Sequence, residues 1–202
     1  MATQREIRKR IQSVTSTKKI TKTMEMVSTA KMKKMQDRLG MTKPYADKVD
    51  QIIGHLRESA VGDVYDPLLQ ERTNPNRVLI LMITGNRGLC SGFNTNVIDN
   101  TLKFKQKLAV EEGRDVLLHV IGKKGINYLK FIGEPMHKSE SNLEDKLTFN
   151  DAATLGNELI NLFISGELDE VYVSYTKVVS SASHKPALFR LLPITPETKD
   201  IT

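Results

Sequence analysis

Cysteine is almost missing from this 202-residue chain: Cys90 is the only one, so no intrachain disulfide can form. A reducing compartment is compatible with that single thiol but not required by it. Long hydrophobic runs are missing as well. No stretch of about 18 apolar residues occurs, so no segment reads as a membrane-spanning helix. The first residues, Met1-Ala2-Thr3-Gln4-Arg5-Glu6-Ile7-Arg8, lack the apolar core of a secretory signal and do not form a long acid-free leader. Secretion and organelle import are therefore not expected. Glycine and proline are absent from residues 4–39, and aromatic residues from residues 1–44. The first gap removes every strong helix breaker from a long segment. The second removes the stacking surfaces on which unpaired bases are held.

What the segment does contain is positive charge. Of the chain's net +6, residues 1–40 carry +8 (eleven Lys and Arg against Glu6, Glu25 and Asp37), and the remainder carries −2. An acidic partner would be met by this end of the chain. At 1.5 Å per residue a helix over 4–39 is a rod of roughly 54 Å. Gly40 and Pro44 are expected to end or kink it, with a second helix over 45–59.

From residue 77 the pattern changes. Val78-Leu79-Ile80-Leu81-Met82-Ile83 is a continuous apolar run, as expected of a strand covered on both faces. A glycine-containing turn over 84–92 follows, then a helix over 94–112. A second buried strand is expected over 116–121, a short helix over 124–132, and a polar stretch over 134–147 with room for an edge strand. A helix over 150–165, capped by Asn150 or Asp151 and stopped by Gly166, leads to strands over 171–179 and 188–192. The alternation predicts an α/β fold: a long N-terminal helix and a small Rossmann-like domain with a mostly parallel sheet. The expected division is a helical segment over 1–59, a linker over 60–76, the α/β domain over 77–194 and a tail over 195–202.

The apolar residues of the N-terminal helix form three groups: Ile7, Ile11, Val14; Ile20, Met24, Val27; and Met32, Met35, Leu39. On a helical wheel they centre at about 350°, 205° and 295°. A helix lying on one flat core would not need that rotation, whereas one held by different partners along its length would. Full burial of a large side chain gains roughly 1.5–3 kcal/mol, so nine of them offer more than ~13 kcal/mol as an upper bound. The alternative, packing of the first turns on the chain's own α/β domain, stays open.

Signals for chemistry are weaker. The turn over 84–94 lies between a strand and a helix, where α/β folds often bind phosphate. Its spacing matches neither a Walker A loop nor the dinucleotide fingerprint, and a tight turn against a neighbour fits better. Cys90 could act as a nucleophile only beside an activating group. His55, His119, His137 and His184 show no ligand spacing, and His119, inside a predicted strand, reads as structural. Three function classes follow: a subunit gripped by partners, a basic nucleic-acid-binding module, and a phosphate-using enzyme.

The residues themselves favour the first. Ile7-Arg8-Lys9-Arg10-Ile11-Gln12-Ser13-Val14 and Thr17-Lys18-Lys19-Ile20-Thr21-Lys22-Thr23-Met24-Glu25-Met26-Val27 closely resemble the gamma subunit of F-type ATP synthase. So do Asn86-Arg87-Gly88-Leu89-Cys90-Ser91-Gly92-Phe93-Asn94, Gly122-Lys123-Lys124-Gly125 and Leu191-Leu192-Pro193. Asn86 and Ser91 stand where the family usually has Asp and Gly, with little expected effect. The resemblance implies a non-catalytic rotor shaft, its N-terminal helix half of a coiled coil, that binds no cofactor, nucleotide or metal itself. Its implied partners are the alpha, beta, epsilon and c-ring subunits. Lys18, Ile20, Met24, Val27 and Lys31 would meet beta or a second shaft helix. Arg87, Cys90 and Phe93 would lie near rotor or hexamer contacts. The regulatory two-cysteine insertion of chloroplast members is absent, and a peripheral protein on the cytoplasmic face of a bacterial inner membrane is expected. The family continues beyond the position of Thr202 with a c-ring-contacting segment and a long C-terminal helix. A chain without them is expected not to support full torque transmission, which normal proton-driven synthesis by a complex with only these 202 residues would refute.

Overall fold

The computed structural model describes residues 3–59, 66–141, 148–180 and 183–194. It divides into two compact units, Met1–Val61 and Gly62–Thr202. The first is a single helix, α1 (Gln4–Ser59). Its start is fixed by a reciprocal cap: the Glu6 amide donates to Thr3 Oγ1 at 3.4 Å, and the Thr3 amide donates to Glu6 Oε2 at 2.7 Å. The expected break at Gly40 and Pro44 does not occur, and one helix runs through both. Proline removes one donor and crowds the carbonyl four residues back, at a cost of ~3 kcal/mol. Here that carbonyl belongs to exposed Gly40, where water can take the missing bond. Good helix formers on both sides then outweigh a local defect.

The second unit is a five-stranded sheet with helices on both faces. After a 3-10 turn (Pro67–Leu69) come β1 (Arg77–Ile83), α2 (Phe93–Gln106), which continues as a π-helical turn over Lys107–Glu111, and β2 (Asp115–Ile121). Then follow α3 (Lys123–Ile132), β3 (Lys138–Glu140), α4 (Phe149–Ile164), β4 (Glu170–Val178) and β5 (His184–Leu192). The strand order is β3-β2-β1-β4-β5, with the first four parallel and β5 antiparallel to β4. The mostly parallel α/β architecture expected from the alternation is therefore present. β1 lies at the centre, with Ile80 opposite both Leu118 and Tyr172.

Alternation along β1 builds two cores. Val78, Ile80 and Met82 pack with Val97, Ile98 and Leu129. Leu79 and Leu81 pack on the other face with Leu159, Phe163 and Leu168. That two-sided burial is why β1 reads as an unbroken apolar run. Residues 66–76, inside the stretch expected to be a linker, are tied to this unit. Leu68 packs on the second core and accepts the Ile194 amide at 2.7 Å, and Arg72 stacks over the Phe163 ring at 5.1 Å.

Two local expectations change. The cap of α4 is Thr148, two residues before Asn150 and three before Asp151: its hydroxyl accepts the Asp151 amide, and Asp151 Oδ2 accepts the Thr148 amide at 2.8 Å. Gly166 does close that helix, at φ +83°. β5 begins at His184, four residues earlier than expected, because Pro186 is tolerated on an edge strand. The expected edge strand over 134–147 is the three-residue β3, and residues 142–147 lie outside the described residues, as does the tail over 195–202.

Candidate functional site

Two surfaces hold the residues singled out in the sequence, one on each unit. On α1, Ile20, Met24 and Val27 are 61%, 48% and 50% exposed. Lys18 is exposed and Lys31 half-buried. The intervening polar face is short-range: Lys22 pairs with Glu25 at 3.0 Å, an exposed contact that adds little stability. Several exposed threonines turn their hydroxyls into the helix: Thr17 donates to the Ser13 carbonyl, Thr21 to that of Thr17 and Thr23 to that of Lys19.

On the second unit the turn after β1 brings Arg87, Cys90 and Phe93 together. Its frame is buried Asn94, at the start of α2. The Asn94 Oδ1 accepts the Gly85 amide at 2.8 Å, while its Nδ2 donates to the Arg87 carbonyl at 3.3 Å and to Cys90 Sγ at 3.1 Å. Thr84 joins this turn to the next one. Its hydroxyl donates to the Ile121 carbonyl at 3.0 Å and accepts the Gly125 amide at 2.9 Å. Gly122 sits against it at φ +103°, where a Cβ would lie 2.1 Å from the Thr84 carbonyl oxygen.

This geometry argues against phosphate capture at the start of α3. Its first amides already have internal partners: Lys123 N donates to Asn86 Oδ1 at 2.8 Å, Lys124 N to the Gly85 carbonyl at 3.1 Å and Gly125 N to Thr84. An anion would have to displace each of them. Cys90 has an amide and a carbonyl for neighbours, and neither can take its proton. Among the described residues no group of three or more His, Cys, Asp or Glu is placed to hold a metal ion.

What the turn does present is an apolar tip. Leu89 is 94% exposed at φ +60°, and Ser91 follows at φ +51°. The sequence reading passed over Leu89, although an apolar residue between Gly88 and Cys90 in a turn was the available signal. Phe93 makes an edge contact with the His184 ring at 6.4 Å, and its carbonyl accepts the Thr176 hydroxyl.

The buried charges serve the scaffold. His119, 1% exposed, shares a 3.0 Å hydrogen bond with Glu140 on β3. Lys138 bridges Glu140 at 3.2 Å and Glu158 on α4 at 2.6 Å. Burial pushes the His119 pKa down, with Glu140 only partly offsetting it. Burial pushes the Glu140 carboxyl up, but the Lys138 and His119 contacts outweigh this and hold it below the usual range. Glu170 gathers Arg114 at 2.6 Å, the Tyr172 hydroxyl at 3.1 Å and Arg190 at 3.5 Å. Burial and that carboxylate push the Tyr172 phenol far up.

Comparison with known proteins agrees with the pattern of the α1 sequence. A family model described as ATP synthase matches residues 3–201. The ATP synthase gamma chain of Gemmatimonas aurantiaca is 36% identical over 198 residues, which cover 98% of this chain and 68% of that protein. That of Haemophilus influenzae is 37% identical over 200 residues, covering 99% and 68%. In structure, the chain is similar to part of the Tetrahymena thermophila mitochondrial ATP synthase central stalk and c-ring, at a TM-score of 0.64 and 22% identity over 86% of this chain and 72% of that one. That last likeness is one of fold. With a family model spanning nearly every residue and relatives more than a third identical along the same length, the chain belongs to the gamma-chain family of ATP synthase.

Proposed function

We propose that this chain is a non-catalytic central-stalk subunit, a rotor part that couples proton flow to ATP synthesis at beta subunits. The observation that carries the reading is α1: an unbroken 56-residue helix whose apolar residues stay exposed, in a chain of the gamma family. Large side chains left in water over such a length are a surface for partners. The partners follow from the family: alpha and beta around α1, epsilon and the c ring beside the α/β unit. Lys18, Ile20, Met24, Val27 and Lys31 form the first contact surface, and Arg87, Cys90 and Phe93 the second. Support for a non-catalytic role comes from the occupied amides of α3 and the proton-inert neighbours of Cys90. Among the described residues no helix is long and apolar enough to cross a membrane. The chain would then reach the membrane only through the complex, on the cytoplasmic face of a bacterial inner membrane. The nucleic-acid reading has no support in the family relationship.

The test is Val27→Asp, which places a charge where an apolar contact is proposed. Co-purification of alpha and beta with the tagged chain is expected to fall about tenfold, roughly 1.4 kcal/mol. Unchanged co-purification would remove this contact, and an unsubstituted chain that brings down neither alpha nor beta would remove the rotor reading itself.

A further inference from the structure

β3 is the shortest strand of the sheet and stands at its edge. Its three residues pair with β2, Lys138 against His119, Ser139 against Val120 and Glu140 against Ile121. So short a strand gives few backbone bonds, and an edge position leaves its other side unpaired. The joint is extended at either end by two amides: His137 N donates to the Leu118 carbonyl at 2.8 Å and Gly122 N to the Glu140 carbonyl at 2.9 Å.

The charged residues of β3 close over a buried histidine. His119, 1% exposed, is flanked two residues to either side by Leu117 and Ile121, which pack in the core with Leu159 and Phe163 of α4. Among the described residues, the charged groups facing His119 come from two elements. β3 supplies Glu140, 3.0 Å from Nε2, and Lys138; α4 supplies Glu158, which holds Lys138 at 2.6 Å. β1 offers apolar Leu81 opposite His119. An ionised carboxylate only accepts, so in the neutral ring Nε2 carries the proton. A positive charge on that ring would be buried and would lie near the Lys138 ammonium, and Glu140 offsets only part of this.

We propose that His119, Lys138, Glu140 and Glu158 form a proton-operated latch, which holds β3 against β2 and α4 while His119 is neutral and releases it when His119 is protonated. With β3 released, the ring meets water and titrates near the ordinary histidine value of 6.5; with β3 closed, burial holds it lower. A proton therefore favours the released state, whose population rises as pH falls through about 6.5. Between pH 7.5 and pH 5.5 this linkage allows a rise of up to about tenfold. Glu140 adds little in that window, because even its ordinary value of 4.5 lies below it, and Lys138, pushed up by Glu158, stays charged. Release uncovers the outer edge of β2, a row of backbone groups open to pairing with another strand. The latch is independent of the central-stalk reading.

Amide hydrogen exchange of the full chain, followed by NMR and corrected for the intrinsic pH dependence of exchange, tests the latch. The His137 and Gly122 amides, which span the β2–β3 joint, are expected to be less protected than the Ile80 amide of central β1, because β3 opens without global unfolding. Their protection is expected to fall by up to about tenfold from pH 7.5 to pH 5.5. In His119→Gln, whose amide still donates to Glu140 but does not titrate, that fall is expected to vanish. Joint amides as well protected as Ile80, protection that does not change with pH, or an equal fall in His119→Gln each overturn the latch. Should His119→Gln fail to fold, the ring titration of His119 in the parent chain decides: a ring still neutral at pH 6.5 supports the latch, and one half charged at pH 6.5 or above overturns it.

Discussion

Gly122 shows how one residue joins two turns of this fold. Its φ of +103° is a conformation that side chains rarely adopt, and the Thr84 carbonyl oxygen stands 2.1 Å from where a Cβ would be. Gly122→Ala is therefore expected to cost about 3 kcal/mol or more, because both the backbone angle and the contact must give. Urea unfolding reads this as a lower midpoint at unchanged slope. Gly113, at φ +67° with open space around it, is the comparison: Gly113→Ala meets no clash and is expected to cost about 1 kcal/mol. Equal midpoints for the two variants would show that the approach to Thr84 yields readily. The strand–turn–helix setting of this site was legible from the apolar run and the glycines that follow it. The clamp by Asn94 was not, because a hydrogen bond from position 94 to the backbone of 85 and 87 depends on how tightly the turn closes.

At the scale of elements, β3 is held as much by charge as by backbone pairing. It has three residues, and His119, Lys138, Glu140 and Glu158 link it to β2 and α4. The folded-state pKa values of His119 and Glu140 are both lowered. The unfolded chain then binds protons more readily than the folded one, so stability falls as pH falls. The His119 contribution is present above about pH 6.5 and is lost below it; that of Glu140 is lost further down, below about pH 4.5. Lys138, raised by its bond to Glu158, keeps its proton throughout this window. The expected outcome is a fall in melting temperature between about pH 8 and pH 5.5 that is smaller in His119→Gln than in the parent chain. An equal fall in both would assign the acid sensitivity to other groups. Sequence alone marked His119 as structural from its place in a strand, but its partners come from two other elements and were not legible. The continuity of α1 through Pro44 belongs to the same scale: local signals argued for a break, and the surrounding helix carried on regardless.

For the whole molecule, the question is whether it does chemistry or is held by partners. The amides that would hold an anion at the start of α3 are already used by the turn after β1. Calorimetric titration of the chain with inorganic phosphate or ATP is therefore expected to show no saturable heat. A stoichiometric site would contradict the non-catalytic reading. The exposed residues of α1 and the apolar tip at Leu89 are surfaces open to interaction, on a helix in one unit and a turn in the other.

The sequence by itself determined the helical character of the first segment, the α/β class, the two-sided burial of β1 and the family. The first three follow from composition and periodicity, which act locally and are written residue by residue, and the family from the resemblance of its motifs. Only the tertiary structure decided that the 3-10 turn before β1 is bound into the α/β unit, that the turns after β1 and β2 occupy each other's donors, and that Thr148 caps α4. The reason is common to all: each depends on where a donor finds its acceptor, and hydrogen-bond direction is a property of the folded geometry.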